Sequence, residues 1–240
     1  MAQHLSRTNT PKNWPIQRKK TKWITRVNPG THPRASAINL DLLIRDFLGY
    51  ARTAREVRRI LHQGMILVDK KIRRDPRFPL GMMDLIEVPK TKEHYRLLLN
   101  TEGKLMLAPV EAAQQSLKPC KVIGKTILKG KKTQLNLFDG RNILQEDSSI
   151  KVGDTLIVDV TTNHVQQHLK FEKNALVYLT QGKKAGMFGT LKETVQEKNM
   201  IKPKIVIESG KEKIETLKAY AFVINQTFME HGKHNAAHHD

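Results

Sequence analysis

The sequence predicts an α+β protein of several domains: a basic N-terminal arm, a small α+β domain, a central β-barrel-like domain and a further β unit toward the C-terminus. Three observations carry this expectation. The first 34 residues hold eight Lys/Arg and no Asp or Glu. Helical periodicity is readable only in two stretches between residues 40 and 64. From about residue 97 the chain changes to short apolar runs separated by Gly- and Asp-containing turns. At 240 residues, 39% of them hydrophobic, the chain is long enough to bury cores in one to three domains.

The arm, residues 1–34, carries Arg7, Lys12, Arg18, Lys19, Lys20, Lys22, Arg26 and Arg34. With no carboxylate of its own it is expected to be extended and self-repelling, to order only on assembly, and to take its counter-charge from a polyphosphate backbone. Trp14 and Trp23 lie inside it, placed to anchor on a folded surface or to stack on a base. Pro29-Gly30-Thr31-His32-Pro33 then interrupts regular structure and marks the junction to the next domain.

In residues 35–96, Leu40, Leu43, Ile44 and Phe47 recur at helical spacing, and Gly49 stands where a left-handed C-terminal cap is needed. A second helix opens on Thr53-Ala54-Arg55-Glu56, the pattern of a capping box. Its turn angle places Ala54, Val57, Ile60 and Leu61 on a packing side and Arg55, Arg58, Arg59 and His62 on an adjoining cationic arc. Only Glu56 is acidic there, so no ladder of ion pairs accounts for the three arginines. Gln63-Gly64 ends the helix. Met65–Val68, Asp69-Lys70 and Lys71-Ile72 read as strand, tight turn and strand, and Met83–Val88 as a further apolar run. Between them Arg73-Arg74-Asp75-Pro76-Arg77 adds cations beside the basic helix face.

Residues 97–172 form the central β unit. Leu135–Phe138, Asp139-Gly140 and Arg141–Leu144 give a hairpin signal, since Asp-Gly tolerates the positive φ of the favoured two-residue turn. Leu156–Val160 reads as a buried strand. In residues 173–229, strands at Ala175–Leu179 and Met187–Leu191 flank the loop Gln181–Gly186, whose tip carries Lys183 and Lys184. Gly182, Gly186 and Gly189 allow backbone to lie close to a neighbour. The tail, residues 230–240, is rich in His and Asn and is expected to be disordered.

The formal charge is +19, and it is uneven: residues 1–96 hold 21 basic and 8 acidic side chains, residues 97–240 hold 21 and 15. Such an excess calls for an acidic macromolecule rather than a small acidic substrate. The single cysteine, Cys120, excludes an internal disulfide and any multi-cysteine zinc site, and reads as a small buried thiol. No apolar run is long enough to span a bilayer and the N-terminus lacks a signal-peptide core, so the protein is expected to be soluble and intracellular. Gly124-Lys125-Thr126 and Gly130-Lys131-Lys132 lack the upstream glycine of a phosphate loop and read as turns and basic loops. His164 and His168, four apart, could meet on a helix, but no further metal ligand joins them.

Taken together, these segments resemble the ribosomal protein S4e family of archaeal and eukaryotic small subunits. In the arm the resemblance rests on His4-Leu5, Trp14-Pro15-Ile16, Trp23 and Pro29-Gly30-Thr31-His32. Ala54-Arg55-Glu56-Val57 through Gly64, Val68-Asp69, and Asp75 to Asp84 resemble the S4 RNA-binding domain, while Gly182, Gly186 and Gly189 resemble the glycine pattern of a KOW motif. Lys70 stands where the family often has glycine, which predicts a wider or slightly strained hairpin.

The resemblance implies an S4-like domain at 35–96 and an SH3-like KOW β-barrel at 173–229. It implies small-subunit rRNA and neighbouring ribosomal proteins as partners, a cytoplasmic ribosomal location, and no catalytic residue, metal, cofactor, membrane or small-molecule substrate. The RNA-binding residues expected are Arg7, Arg18, Lys19, Lys20, Lys22, Trp23, Arg26 and Arg34 in the arm, Arg55, Arg58 and Arg59 on the second helix, Lys70, Lys71, Arg73 and Arg74 after it, and Lys183 and Lys184 in the glycine-rich loop. S4-like domains also occur in RNA-modifying enzymes, and KOW elements in transcription factors, but no catalytic signature follows residue 97 here.

Overall fold

The computed structural model describes residues 4–145, 149–195, 202–210 and 212–228. The chain forms two compact units, one of residues 1–98 with 104–118 and one of residues 99–103 with 119–240.

In the first unit the arm is folded. Strand β1 (His4–Ser6) pairs antiparallel with β2 (Trp23–Thr25), setting Leu5 opposite Ile24 with both side chains buried. Trp14 is 2% exposed and its Nε1 donates to Ala37 O at 2.8 Å. Arg7 donates to Thr21 Oγ1 and Gln17 O, both at 2.9 Å. Arg18 spans the carbonyls of Thr8, Thr10 and Pro11. The expectation of an extended, self-repelling arm is therefore corrected. Two of its cations are satisfied by neutral carbonyl groups that a count of carboxylates does not register, and burial of one Trp contributes on the order of 2–3 kcal/mol.

Strand β3 (Ile38–Asn39) leads into α1 (Leu40–Leu42), where Asn39 Oδ1 accepts from Leu42 N at 2.7 Å as the N-cap. The helix continues as a π-turn over Leu43–Phe47, with Leu48 N donating to Leu43 O. The expected stripe is present in Leu40, Leu43 and Ile44, all fully buried, but Leu42 is buried too and Phe47 only half-buried. The wider π-turn brings consecutive apolar residues inward, which an α-helical stripe does not. Helix α2 (Ala54–His62) follows, with Val57 and Leu61 buried; Ala54, expected on the packing side, is exposed.

Strands β4 (Leu67–Val68) and β5 (Lys71–Ile72) form a hairpin whose turn residues Asp69 and Lys70 have φ of 50° and 59°. The hairpin is a tight two-residue turn, not a widened one, so Lys70 accepts the strain instead. Strand β6 (Pro79–Leu80) pairs with β3. Strands β7 (Leu85–Val88), β8 (Glu93–Leu99) and β9 (Leu105–Pro109) complete a five-stranded sheet in the order β5-β4-β7-β8-β9.

A buried polar network ties these pieces together. Lys118, fully buried, donates to Asp69 Oδ2 and Asp84 Oδ1, each at 2.6 Å. Asp84 also pairs with His32 Nε2 at 2.9 Å and accepts from Gly81 N at 2.8 Å, while Asp69 Oδ1 accepts from Leu85 N. Burial alone would raise the Asp84 carboxyl; His32 and Lys118 outweigh it and hold the group well below the carboxylate range. A Cβ on Gly81 would collide with the His32 ring, which accounts for the glycine.

In the second unit, β10 (Leu117–Ile127), β11 (Thr133–Leu137), β12 (Asn142–Gln145), β13 (Thr155–Asp159) and β14 (Val165–Leu169) form a sheet in the order β12-β11-β10-β13-β14. Cys120, Val122, Leu135, Leu137, Ile150, Leu156 and Val158 make its core, and Cys120 is the buried thiol expected. The β11–β12 hairpin is where the sequence places it, but only Gly140 (φ 79°) has positive φ, and Gly140 N donates to Leu137 O. The connection is a longer loop ending in a left-handed Gly, not the two-residue turn. Gly124–Thr126 lies within β10 beside a bulge, not in a turn. His168 lies on β14, not on a helix, and its Nε2 meets Asp154 Oδ2 at 2.8 Å.

Strands β15 (Leu176–Leu179), β16 (Phe188–Val195), β17 (Lys204–Ser209), β18 (Glu212–Leu217) and β19 (Ala221–Val223) form a second sheet in the order β18-β17-β16-β15-β19. Gly186 has φ 87°, and a Cβ there would fall within bonding range of Asn100 O; a Cβ on Gly189 would lie 2.7 Å from Glu208 O. Gly186 and Gly189 thus answer to a close backbone approach, whereas Gly182 (φ 94°) faces the Tyr220 ring, 3.4 Å from an added Cβ. The expected tail, with His231, His234, His238 and His239, lies outside the described residues.

Candidate nucleic-acid interface

The cationic surface of the first unit is built around α2. Thr53 Oγ1 accepts from Glu56 N at 3.3 Å, and Glu56 Oε2 accepts from the amides of Thr53 at 3.4 Å and Arg52 at 2.8 Å. These amide donors, Arg52 first, hold the Glu56 carboxyl below its ordinary value. The one acidic side chain of the helix is therefore occupied at its N-terminus. Arg55, Arg58, Arg59 and His62 stand exposed on the arc that their spacing requires.

Beside this arc lies a cleft of about 1140 Å³, entirely within the first unit. Arg7, Lys20, Arg45, Arg52, Arg58 and Arg77 line it, against Asp41, Asp46 and Asp75. Trp23 lies at its wall, 50% exposed, with Lys22 Nζ 5.1 Å from the ring centroid. The walls are fixed by hydrogen bonds between arm and domain and within the domain. Asn28 Nδ2 donates to Asp75 Oδ2, Asn28 N to Arg77 O, and Asp41 N to Pro76 O. Asp41 Oδ2 accepts from Thr25 Oγ1 at 2.7 Å and lies 3.6 Å from Arg45; its Oδ1, buried, has no hydrogen-bond partner.

The expected RNA-binding residues separate by what they touch. Lys20, Trp23, Arg58 and Arg7 meet at the cleft, though Arg7 is buried and hydrogen-bonded within the arm, and Arg18 is likewise committed to carbonyls. Lys19, Lys22, Arg34, Arg55, Arg59, Lys71 and Arg74 are exposed, and Arg26 is half-buried. Lys70 is ion-paired with Glu87 at 2.7 Å, and Arg73 stacks 4.3 Å over Phe78. In the second unit Lys183 is exposed, whereas Lys184 pairs with Glu212 at 2.8 Å.

Three cleft cations, Arg45, Arg52 and Arg77, are absent from the sequence-based set. Arg52, next to the capping box, and Arg77, in the basic loop, had a signal in their surroundings; Arg45 reaches the cleft only through the fold of its helix. Among the described residues no group of three His, Cys, Asp or Glu is arranged to hold a metal ion, and no helix is long and apolar enough to cross a membrane. An exposed arginine arc, an exposed indole and a mixed-charge cleft suit phosphates and bases rather than bond-breaking chemistry.

Family models match along much of the chain: the RS4NT (NUC023) domain at residues 1–35, the S4 domain at 39–86 and the ribosomal family S4e at 91–165. The chain is 38% identical to the small ribosomal subunit protein eS4 of Methanothermobacter thermautotrophicus over 93% of its length and 92% of that protein. It is 39% identical to the eS4 protein of Archaeoglobus fulgidus, covering 93% of each. The crystal structure of the 30S ribosomal protein S4e from Thermoplasma acidophilum is similar with a TM-score of 0.68 at 33% identity, over 79% of this chain and 95% of that one.

Proposed function

The chain belongs to the ribosomal protein S4e family, and we propose that it binds small-subunit rRNA through the α2 arc and adjoining cleft as a permanent constituent of the ribosome. It is a structural component of the small subunit, not an enzyme. The observation that carries the RNA-binding reading is the set of exposed arginines Arg55, Arg58 and Arg59, which have no carboxylate partner among the described residues, the nearby Glu56 being held by the helix cap.

Arginine grips phosphate in two places and stacks on bases, and duplex RNA offers mainly its backbone geometry. The arm, tied to the domain by Trp14 and Asn28, extends this surface with Lys19, Lys20 and Lys22. Lys71, Arg74 and Lys183 are further contacts in the same reading, with neighbouring small-subunit proteins adjoining in the cytoplasmic ribosome. The finer layout also belongs to the proposal: arm 1–34, S4-like domain 35–96, central β domain 97–172 and a KOW barrel at 173–229. The close approach of Gly186 and Gly189 to backbone supports the KOW assignment.

The test is a filter-binding titration of full-length protein with rRNA at several salt concentrations. With about 6–10 phosphates neutralised, affinity falls roughly 10³–10⁵-fold between 50 and 200 mM salt. The double variant Arg55→Glu, Arg59→Glu weakens binding with an unchanged circular dichroism spectrum. An unchanged Kd in the folded variant, or a salt-insensitive complex, refutes the interface.

A further inference from the structure

The turn between β7 and β8 carries a pair of cations that the sequence-based set does not contain. Pro89-Lys90-Thr91-Lys92 connects Val88 to Glu93, which face each other across the two strands. Lys90, Thr91 and Lys92 are all exposed, and neither lysine has a carboxylate partner among the described residues. The carboxylate next in sequence is occupied: Glu93 Oε2 accepts from Thr91 Oγ1 at 2.8 Å and from the Tyr50 hydroxyl. This repeats the arrangement on α2, where Glu56 is taken up by the helix cap and the arginines beside it stay unmatched. The turn is also held in one shape. Thr91 N donates to Val88 O at 3.2 Å and Lys92 N to Pro89 O at 3.3 Å. Lys92 sits at φ 57°, a left-handed conformation that is costly for lysine and free for glycine. A backbone ordered in advance loses little freedom when its two ammonium groups meet a ligand.

Tyr50 joins this turn to the α2 surface. Its amide donates to Ile44 O at 3.1 Å, and it lies two residues before Arg52, whose own amide is held by Glu56 at the head of α2. Its hydroxyl meets Glu93 and, at 3.5 Å, Thr91. Two Cα–Cα steps span at most about 7.6 Å, so the turn that Tyr50 holds adjoins the Arg52 end of the arginine arc.

We propose that Lys90 and Lys92 take phosphates of the same RNA that the α2 arc binds, and that Tyr50, through Glu93 and Thr91, is the positioning residue that holds their turn beside that arc. The inference rests on the RNA-binding reading above and adds a second contact to it. Lysine ammonium groups are compact point charges that select a phosphodiester backbone rather than a base. The contact therefore adds affinity and salt dependence without sequence preference.

The experiment is the filter-binding titration of full-length protein with small-subunit rRNA across several salt concentrations, repeated for four variants: Lys90→Gln with Lys92→Asn, Tyr50→Phe, all three changes together, and Lys90→Arg with Lys92→Arg. Asparagine tolerates the left-handed backbone at position 92, so the charge is removed and the turn is kept. A wild-type circular dichroism spectrum shows each variant folded.

Each lost phosphate contact makes the slope of log Kd against log salt shallower by about 1. The expected result for Lys90→Gln, Lys92→Asn is a slope shallower by about 1.5–2 and a Kd raised roughly tenfold or more at 50 mM salt, with the gap to wild type closing as salt rises. The arginine pair keeps the wild-type slope. Tyr50→Phe raises Kd about two- to threefold in the wild-type background and leaves the lysine-free variant unchanged, the coupling expected of a residue that acts through the turn. A wild-type slope in the folded lysine-free variant overturns the phosphate contact. Tyr50→Phe weakening both backgrounds equally, or neither, overturns its positioning role. If the lysine-free variant binds like wild type while Arg55→Glu, Arg59→Glu still weakens binding, the turn fails and the α2 interface stands. If the wild type does not bind rRNA, both fail.

Discussion

Replacing Lys118 with Met should destabilise the first unit by about 3–5 kcal/mol, the scale observed when one partner of a buried ion pair is removed. Two carboxylates share its ammonium at 2.6 Å, and the side chain is wholly buried. Methionine fills a similar volume, so the cost is electrostatic rather than a cavity. Asp84 would keep His32 and the Gly81 amide, and Asp69 the Leu85 amide, which holds the loss within that range.

The assay is urea unfolding followed by the emission of Trp14, buried in the same unit. With a slope near 2 kcal/mol/M, the midpoint falls by about 2 M with the slope unchanged. The pH dependence gives a second reading. The folded Asp84 carboxyl lies below the ordinary 3.8, so its contribution is present above that pH and drains away as pH falls through the folded value. The variant has less of it to lose, and the gap between the two proteins narrows below pH 3.8. A midpoint at neutral pH equal to that of the wild type would show that the network is not what ties His32 of the arm to the sheet.

Two further predictions concern the second unit. Gly186→Ala places a methyl group against Asn100 O at a φ of 87°; the combined clash and strain should cost at least about 3 kcal/mol in thermal or chemical unfolding, and an unchanged midpoint would contradict the close approach. Lys121 is pushed down to about 8 by burial first and by Lys218 second, while its Nζ donates to Ala219 O and Ala221 O. Its amine therefore binds protons more weakly folded than unfolded, so its contribution to stability rises from about pH 8 toward 10.5, and Lys121→Met should flatten that rise in melting temperature; a rise that persists in the variant rules the assignment out.

Local patterns with a fixed geometry were legible in the sequence, and long-range satisfaction of charge was not. The Thr53–Glu56 box, the Asp69-Lys70 turn and the position of the β11–β12 hairpin each depend on residues a few positions apart, and each is where the sequence places it. The arm is the instructive failure. Its acid-free composition suggested repulsion, but Arg7 and Arg18 find carbonyls 7 to 10 residues away, and Trp14 finds Ala37. The same limit hid part of the cleft. Arg45 precedes α2 in sequence and carries no motif, and its side chain reaches the site only because a π-turn and the arm meet there. Conversely, Lys70 and Lys184 looked available in sequence and are held by Glu87 and Glu212.

The distribution of acids explains why the surface stays cationic. Residues 1–96 contain eight carboxylates, and each one has structural work elsewhere. Glu56 caps α2, Asp69 and Asp84 bind Lys118, Glu87 binds Lys70, and Asp75 takes Asn28 and the Arg77 amide. Asp41 and Asp46 engage Arg45, and Glu93 accepts from Tyr50 and Thr91. None of these eight is found paired with Arg55, Arg58 or Arg59. An exposed ion pair is worth at most about 1 kcal/mol, so stability loses little by leaving the arginines unmatched. The proposed RNA binding gains more, because no partner among the described residues has to be displaced before a phosphate is taken. The carboxylates go to caps, turns, ion pairs and one buried network, and the unneutralised remainder is the surface through which RNA binding is proposed.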